Sequence, residues 1–443
     1  VKKYSAVAAL SLLLAVPAFA ATDNWTGTTS GVWSVGSNWG GTAPSAGDDL
    51  NFANTANANA LNNDYAANTL FNSLTFNAAG TFSPNGNAIN LGPGGITQTS
   101  GTTLNDFLAF TLTASQTWNV ANPGQLILNG PANLALGANN LTISGDGSHA
   151  FSGNTVTGTG TITLTAPTAQ TLTVTGHLNE TGAINVGTNA TLNLSTPNAI
   201  ASPIIVNSGG TLTDAIGFSG FMNAPLTINA GGTYAVTING TAVLQFSRVT
   251  VNTGALITLA GNLVVTNNAP AVAGTSYTII TNQTGNPIVG TFAGLPEGAT
   301  FTAGGQTFKI SYLNGVTITV QGTPTTTTLL SSLNPSASGQ SVTFTATVSP
   351  TATGNVTFLD GVSPLGTVAL NGSSQAAVTT SSLSIGAHNI TAQYAGNIST
   401  AGSTSSIVVQ QVLINTAIPA LDPRVLAALG ALLIAIAVTH MRR

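Results

Sequence analysis

The chain has 443 residues, no cysteine, only 7 basic against 11 acidic side chains, and 43% hydrophobic residues. Disulfide stabilisation is ruled out, and the hydrophobic content is too high for a disordered chain. Setting aside Lys2, Lys3, Asp422, Arg424, Arg442 and Arg443 at the ends leaves two cations, Arg248 and Lys309, and ten carboxylates. A net charge of 2 − 10 = −8 over the body excludes a nucleic-acid partner, which needs a basic footprint.

At the N-terminus, Lys2-Lys3, the apolar run Ala6–Val16 and Ala18-Phe19-Ala20 form a three-part secretory signal over residues 1–21. The run is too short to span a bilayer, so the expected partners are the Sec export machinery and a signal peptidase acting after Ala20 or Ala21. The tryptophans Trp25, Trp33 and Trp39 follow at once. They read as a cap over the first edge of a β structure, which would otherwise expose core and strand. Sugar stacking by Trp33 or Trp39 is the sharper alternative.

From residue 22 to 322 short alternating segments are separated by Gly/Asn turns, with no helical periodicity. Ile184-Asn185-Val186, Ile204-Ile205-Val206, Leu226-Thr227-Ile228 and Val249-Thr250-Val251 recur at nearly even steps. That period predicts an all-β chain whose main part is a right-handed parallel β-helix, with Ile, Leu and Val inward and Asn and Thr in stacked ladders. A uniform period gives about 14 coils and a rod of about 65 Å. A β-sandwich or Greek-key barrel is the competing fold.

The residues Trp25, Trp33, Trp39, Gly40, Pro44 and Asp48-Asp49 resemble the opening of bacterial autotransporter-associated β-strand repeat proteins. Gly290-Thr291-Phe292-Ala293-Gly294-Leu295-Pro296-Glu297-Gly298 and Phe308-Lys309-Ile310-Ser311-Tyr312 resemble the segment that ends such a passenger. The resemblance covers residues 24 to 320 and implies a solenoid displayed at the cell surface. Residues 413 to 443 cannot make the translocating barrel of that family, so it implies a different export route.

Residues 323–412 change in style. Ser341 to Val348 alternates strictly, and with Thr326–Leu330, Val356–Leu359, Leu365–Leu370, Ala376–Thr380, His388–Tyr394 and Ser406–Val412 it makes seven strands of an Ig-type sandwich. Gly386-Ala387-His388-Asn389-Ile390-Thr391-Ala392-Gln393-Tyr394 and Ser403-Thr404-Ser405 resemble bacterial Ig-like repeat domains, which implies a spacer or adhesive unit. Gly396-Asn397 stands where that family often has Gly-Asp, which weakens any calcium site at that loop.

The chain closes on the apolar stretch 425–438, read as a transmembrane helix within a sorting region 413–443. Ile418-Pro419-Ala420-Leu421, the helix and Arg442-Arg443 together resemble the IPTL/PEP-type sorting signals of Gram-negative bacteria. That resemblance implies an exosortase-like protease as partner and cleavage near the motif; Ala420 replaces the usual Thr.

Catalytic patterns are scarce. The histidines at 149, 177, 388 and 440 have no metal-ligand spacing, and no G-x-S-x-G or P-loop occurs. Adjacent Asp48-Asp49 would face opposite sides of a strand, and Asp146 suits a turn. A β-helix polysaccharide lyase is the enzymatic rival, but Arg248 and Lys309 lie several coils apart and neither has an acidic cluster near it in sequence. The expectation is therefore a non-enzymatic, cofactor-free surface or matrix protein of adhesin type. Exopolysaccharide or other surface proteins are its candidate partners, and a secreted glycan-binding module is the alternative.

Overall fold

The computed structural model describes residues 20–441, apart from 100, 130–132, 154, 176, 180–181, 196–198, 217–219, 253, 270 and 416–421. It divides into two compact units, one ending at Gln321 and one beginning at Gly322.

The first unit is a parallel β-solenoid with three strands per coil. A middle coil shows why: Leu141–Ser144, Ser148–Ser152 and Thr155–Gly158 are short strands, and Gly145 and Gly153 make the corners at φ +87° and +72°. Such left-handed corners favour glycine, and a Cβ on Gly145 would meet the Val120 carbonyl oxygen at 2.2 Å. Each strand pairs in register with the equivalent strand one coil away, as in Leu141↔Ile162 and Ser148↔Thr171. On the first face Leu50, Leu74, Ile96, Trp118, Ile143 and Leu164 are successive register partners, all buried. Every such side chain contributes about 1.5–3 kcal/mol of burial, repeated at each rung. Asparagines stack as expected: the Nδ2 of Asn229, Asn252 and Asn268 donates to the Oδ1 of Asn207, Asn223 and Asn239 at 2.9, 2.6 and 2.9 Å.

Two expectations about the repeat need correction. Val249–Val251 does not stack on Leu226–Ile228, whose partner is the later strand Ile257–Leu259. Val249–Val251 instead joins Gly220–Met222 and Ser276–Asn282 on another face. The long strand Thr233–Ile238 and the short 3-10 turn Val243–Gln245 lengthen that coil, and an apolar-Thr-apolar triplet suits any face. Among the described residues the second face holds nine stacked strands, hence eight steps (9 − 1), or about 38 Å, and the first face twelve, fewer than about 14 coils. Unequal coils and a closing hairpin use up the difference.

Both ends of the stack are closed. At the start Trp25, Trp33, Trp39, Phe52 and Phe76 pack together, with Trp25–Trp39 centroids 5.0 Å apart and Phe52–Phe76 stacked at 4.8 Å. Buried Asn38 knots the cap: its Oδ1 accepts from Thr29 N and Ser30 N, and its Nδ2 donates to Ser30 Oγ and Val32 O. At the other end Val289–Gly290 forms a final parallel rung on Ile257–Leu259. Gly315–Gln321, Gln306–Ser311 and Thr300–Ala303 then add antiparallel strands to the edge of Ser276–Asn282. Tyr312 ties this closure to the last turn, donating to Leu295 O at 2.7 Å and accepting from Phe292 N.

The second unit is a two-sheet sandwich. Thr326–Ser331, Val342–Ser349 and Gln375–Thr380 form one sheet. Ser336–Ala337, Val408–Leu413, Gly386–Tyr394, Asn355–Asp360 and Ser363–Ala369 form the other, with Ser403–Thr404 beside Gly386–Tyr394. Phe344, Val356, Phe358, Ile390 and Tyr394 fill the core. The Tyr394 hydroxyl donates to Thr353 O at 2.7 Å and meets Thr400 Oγ1 at 2.6 Å, pinning a loop corner. The two-residue strands Ser336–Ala337 and Ser403–Thr404 are too short for alternation to reveal.

The apolar helix is longer than the stretch 425–438: it runs Pro423–His440, 18 residues. Asp422 is its N-cap, accepting from Arg424 N at 2.9 Å, and Pro423 occupies the first turn, where its missing N–H costs nothing.

Candidate interaction surfaces

The tryptophans proposed for sugar stacking are not available to a ligand. Trp33 is 0% and Trp39 6% exposed, and the Trp39 indole N–H donates inward to the Trp33 carbonyl at 2.7 Å. A ring inside a core cluster has no free face for a sugar to stack on. Ile418, Pro419, Ala420, Leu421, Arg442 and Arg443 lie outside the described residues, as does the secretory signal through residue 19.

The paired carboxylates are turn and ladder residues. Asp48 accepts from Ala21 N and Ser45 N, while Asp49 accepts from Asn72 Nδ2 and Ser73 Oγ. Asp146 caps the next coil by accepting from Thr168 N at 2.9 Å. Asp23 is raised above its ordinary pKa, first by burial and then by its hydrogen bond to Asp48. No group of three or more His, Asp or Glu suited to a metal occurs among the described residues. Arg248 donates its backbone N–H to Asp214 Oδ2 at 3.1 Å, and Lys309 lies on the exposed side of Gln306–Ser311.

Two buried groups were invisible in the sequence. Asp106, fully buried, accepts from Leu108 N at 2.8 Å with one oxygen, while the other lacks a donor. Desolvation pushes its carboxyl up to about 8, so it sits protonated in the core at neutral pH. His149, also inward, contacts Gln170 at 3.0 Å, and burial lowers it to about 4. Their signal was strand parity: both stand at inward positions of alternating segments, but a lone Asp or His there reads as a turn or an irregular strand.

In the second unit the partly buried His388 lies between Asp360 and Ser384, a set reminiscent of a nucleophilic relay. Its Nδ1 meets Asp360 Oδ2 at 2.6 Å, and its Nε2 meets the Ser384 carbonyl at 2.9 Å and Ser384 Oγ at 3.4 Å. Carboxylate and carbonyl both only accept, so both contacts are met when both ring nitrogens carry protons. Its pKa is raised, first by the Ser384 carbonyl and then by Asp360. Doubly protonated, the ring clamps the Ser384 loop to the strand that carries Asp360.

The first solenoid face offers the clearest open surface. A shallow concavity of about 360 Å³ is lined by Asp49, Asn51, Ser73, Thr75, Gly94 and Thr97. A second, of about 490 Å³, is lined by Thr117, Asn119, Ser144, Gly145, Thr165 and Pro167. Thr97 of the first pairs in register with Asn119 of the second, and Asn119 with Ser144, so the two lie on one lane.

The helix Pro423–His440 is the remaining surface. Leu426, Leu429, Leu432, Leu433 and Ile434 are 57–67% exposed, and no residue of the helix is buried. Its apolar side chains surround the axis, and 18 residues rise about 27 Å, close to a hydrocarbon core.

Residues 328–413 match the bacterial Ig-like domain (group 3) family, in agreement with the sandwich just described. No curated protein and no solved structure matches the chain.

Proposed function

We propose that this chain is an exported surface or extracellular-matrix structural protein of adhesin type. The β-solenoid is its display rod, the Ig-like domain its spacer, and the helix Pro423–His440 its membrane tether. The observation that carries this reading is the helix: an 18-residue apolar cylinder with no buried side chain, in a chain otherwise built of two polar-surfaced β units. Water penalises that exposed surface by about 25 cal/mol per Å², whereas a bilayer accommodates it.

In this reading the Sec machinery and a signal peptidase handle residues 1–21. An exosortase-like protease recognises Ile418-Pro419-Ala420-Leu421 ahead of the helix and Arg442-Arg443. The chain acts by display and contact and carries out no catalysis. Protease shaving of intact cells, with mass spectrometry of both termini of the native protein, tests this. A shaved solenoid and a mature C-terminus near Ile418–Leu421 are expected; an intact Arg443 on a surface-exposed chain would replace cleavage by permanent anchoring. A chain protected inside the cell with Lys2-Lys3 retained overturns the reading. Depolymerisation of a polysaccharide by purified protein, lost in Arg248→Ala, would overturn the non-enzymatic part.

A further inference from the structure

We propose that the lane joining the two concavities on the first solenoid face is a binding track for a neutral polysaccharide chain, an inference that rests on the surface-display reading and gives it a ligand class. Asn51, Thr75, Thr97, Asn119 and Ser144 are successive register partners, so five rungs present one continuous row of hydroxyls and amides. Four steps between them span about 19 Å. Hydroxyls and carboxamides both donate and accept, as sugar hydroxyls do, and a fixed rung spacing presents those groups at regular intervals to a repeating polymer.

Charge selects the class of polymer. Neither concavity is lined by a Lys or Arg, and the one carboxylate, Asp49, is already held by Asn72 and Ser73. A uronate chain would lose hydration there without a counter-charge, whereas an uncharged chain exchanges water hydrogen bonds for protein ones. Glycines let the rungs under the lane pack closely: a Cβ at Gly94 would meet Ser73 Cβ at 2.6 Å, and one at Gly145 the Val120 carbonyl at 2.2 Å. Asn51 donates its Nδ2 to Asn24 Oδ1 at 2.6 Å, which orients the amide at the head of the row. With the tryptophans buried, recognition rests on many weak polar contacts, and affinity comes from repetition along the chain.

Affinity electrophoresis of the full-length protein in detergent tests this, with dextran, hydroxyethyl cellulose and galactomannan as neutral probes and polygalacturonate as the anionic one. At least one neutral polymer should retard the protein, with little change at about 0.5 M salt, where charge contacts are screened. The double variant Thr97→Ala/Asn119→Ala should weaken retardation about thirtyfold, the size of two ordinary neutral hydrogen-bond losses. Thr171→Ala/Thr191→Ala, on the second face, should leave it unchanged, and circular dichroism checks that both variants fold. Retardation by none of the neutral probes, preference for polygalacturonate, or equal loss in the two doubles overturns the inference. Surface shaving of the same cells keeps the two readings separate: a displayed chain that binds nothing sinks only the ligand, and a chain found inside the cell sinks the display.

Discussion

The solenoid and the Ig-like domain are written in nearly the same letters, Thr, Asn, Ser, Gly, Val and Ile, yet they close their hydrogen bonds in opposite ways. Each solenoid strand pairs in parallel with strands roughly one coil away, so its contacts are short-range and additive along the stack. In the sandwich Ser336–Ala337, near the start of the domain, pairs with Val408–Leu413 at its end, so closure joins residues far apart in sequence. The solenoid therefore needs caps, which the tryptophan cluster and the Thr300–Gln321 strands supply. The sandwich needs only its own closure. One composition serves both because strand length and coil length, not residue type, decide between them.

Truncation of a core side chain should separate the two units most sharply. Trp118→Ala removes a fully buried ring from the first face and is expected to destabilise the solenoid by about 3–5 kcal/mol. The sandwich transition should stay in place by differential scanning calorimetry, and Phe344→Ala should do the reverse. A single merged transition shifted equally by both variants would break the comparison.

The titration of Asp106 and His149 comes next in size, and both belong to the solenoid. Asp106 is raised from 3.8 to about 8 in the fold, so its contribution is complete below pH 3.8 and is lost as pH rises to 8. His149 is lowered from 6.5 to about 4, so its contribution is complete above pH 6.5 and is lost as pH falls to 4. Between pH 4 and 6.5 the two slopes oppose and largely cancel. From 6.5 to 8 Asp106 acts alone, and the solenoid should weaken by about 2 kcal/mol. Denaturant midpoints measured across this range should show a plateau and then a decline, and Asp106→Asn should abolish the decline. A decline that survives in that variant would assign it elsewhere.

The same contrast explains what the sequence made legible. Sandwich strands such as Val342–Ser349 and Gly386–Tyr394 are long enough for Val342, Phe344, Ala346 and Val348 to declare a face. Many solenoid strands are as short as Ile184–Val186, so architecture and caps could be read but the face of a given triplet could not. Val249–Val251 shows why: its Val-Thr-Val pattern fits every face, and only the added length of Thr233–Gln245 moves it off the repeat. Trp33 and Trp39 illustrate a second limit, since a tryptophan near a chain end carries no mark of which way it points. The lane from Asn51 to Ser144 was hidden for a third reason. Its residues are scattered over several coils and become neighbours only through the register.

Asparagine stacking offers a smaller test of additivity. Asn229→Ala breaks one rung-to-rung bond to Asn207 and should cost the solenoid about 0.5–1.5 kcal/mol. Combined with Asn268→Ala, which breaks the separate Asn239 bond, the losses should sum, as expected for corners at opposite ends of the strand Thr233–Ile238. The sandwich should register neither change.

The smallest effect belongs to the sandwich and runs on a different residue. His388 is raised above its ordinary 6.5, so its contribution is complete below pH 6.5 and is lost as pH rises through the folded value. Asp360→Asn keeps the size of that side chain but replaces the carboxyl group 2.6 Å from Nδ1 by an amide. The variant should lower the sandwich melting temperature near pH 6, and the gap from wild type should close as pH rises past the wild-type His388 pKa. NMR titration of the His388 ring reports the same coupling directly: its pKa should move down toward 6.5 in the variant. The Ser384 carbonyl still accepts from Nε2, so the shift should be partial. An unshifted titration would mean that the carbonyl alone holds the imidazolium, and the clamp would reduce to a single loop contact.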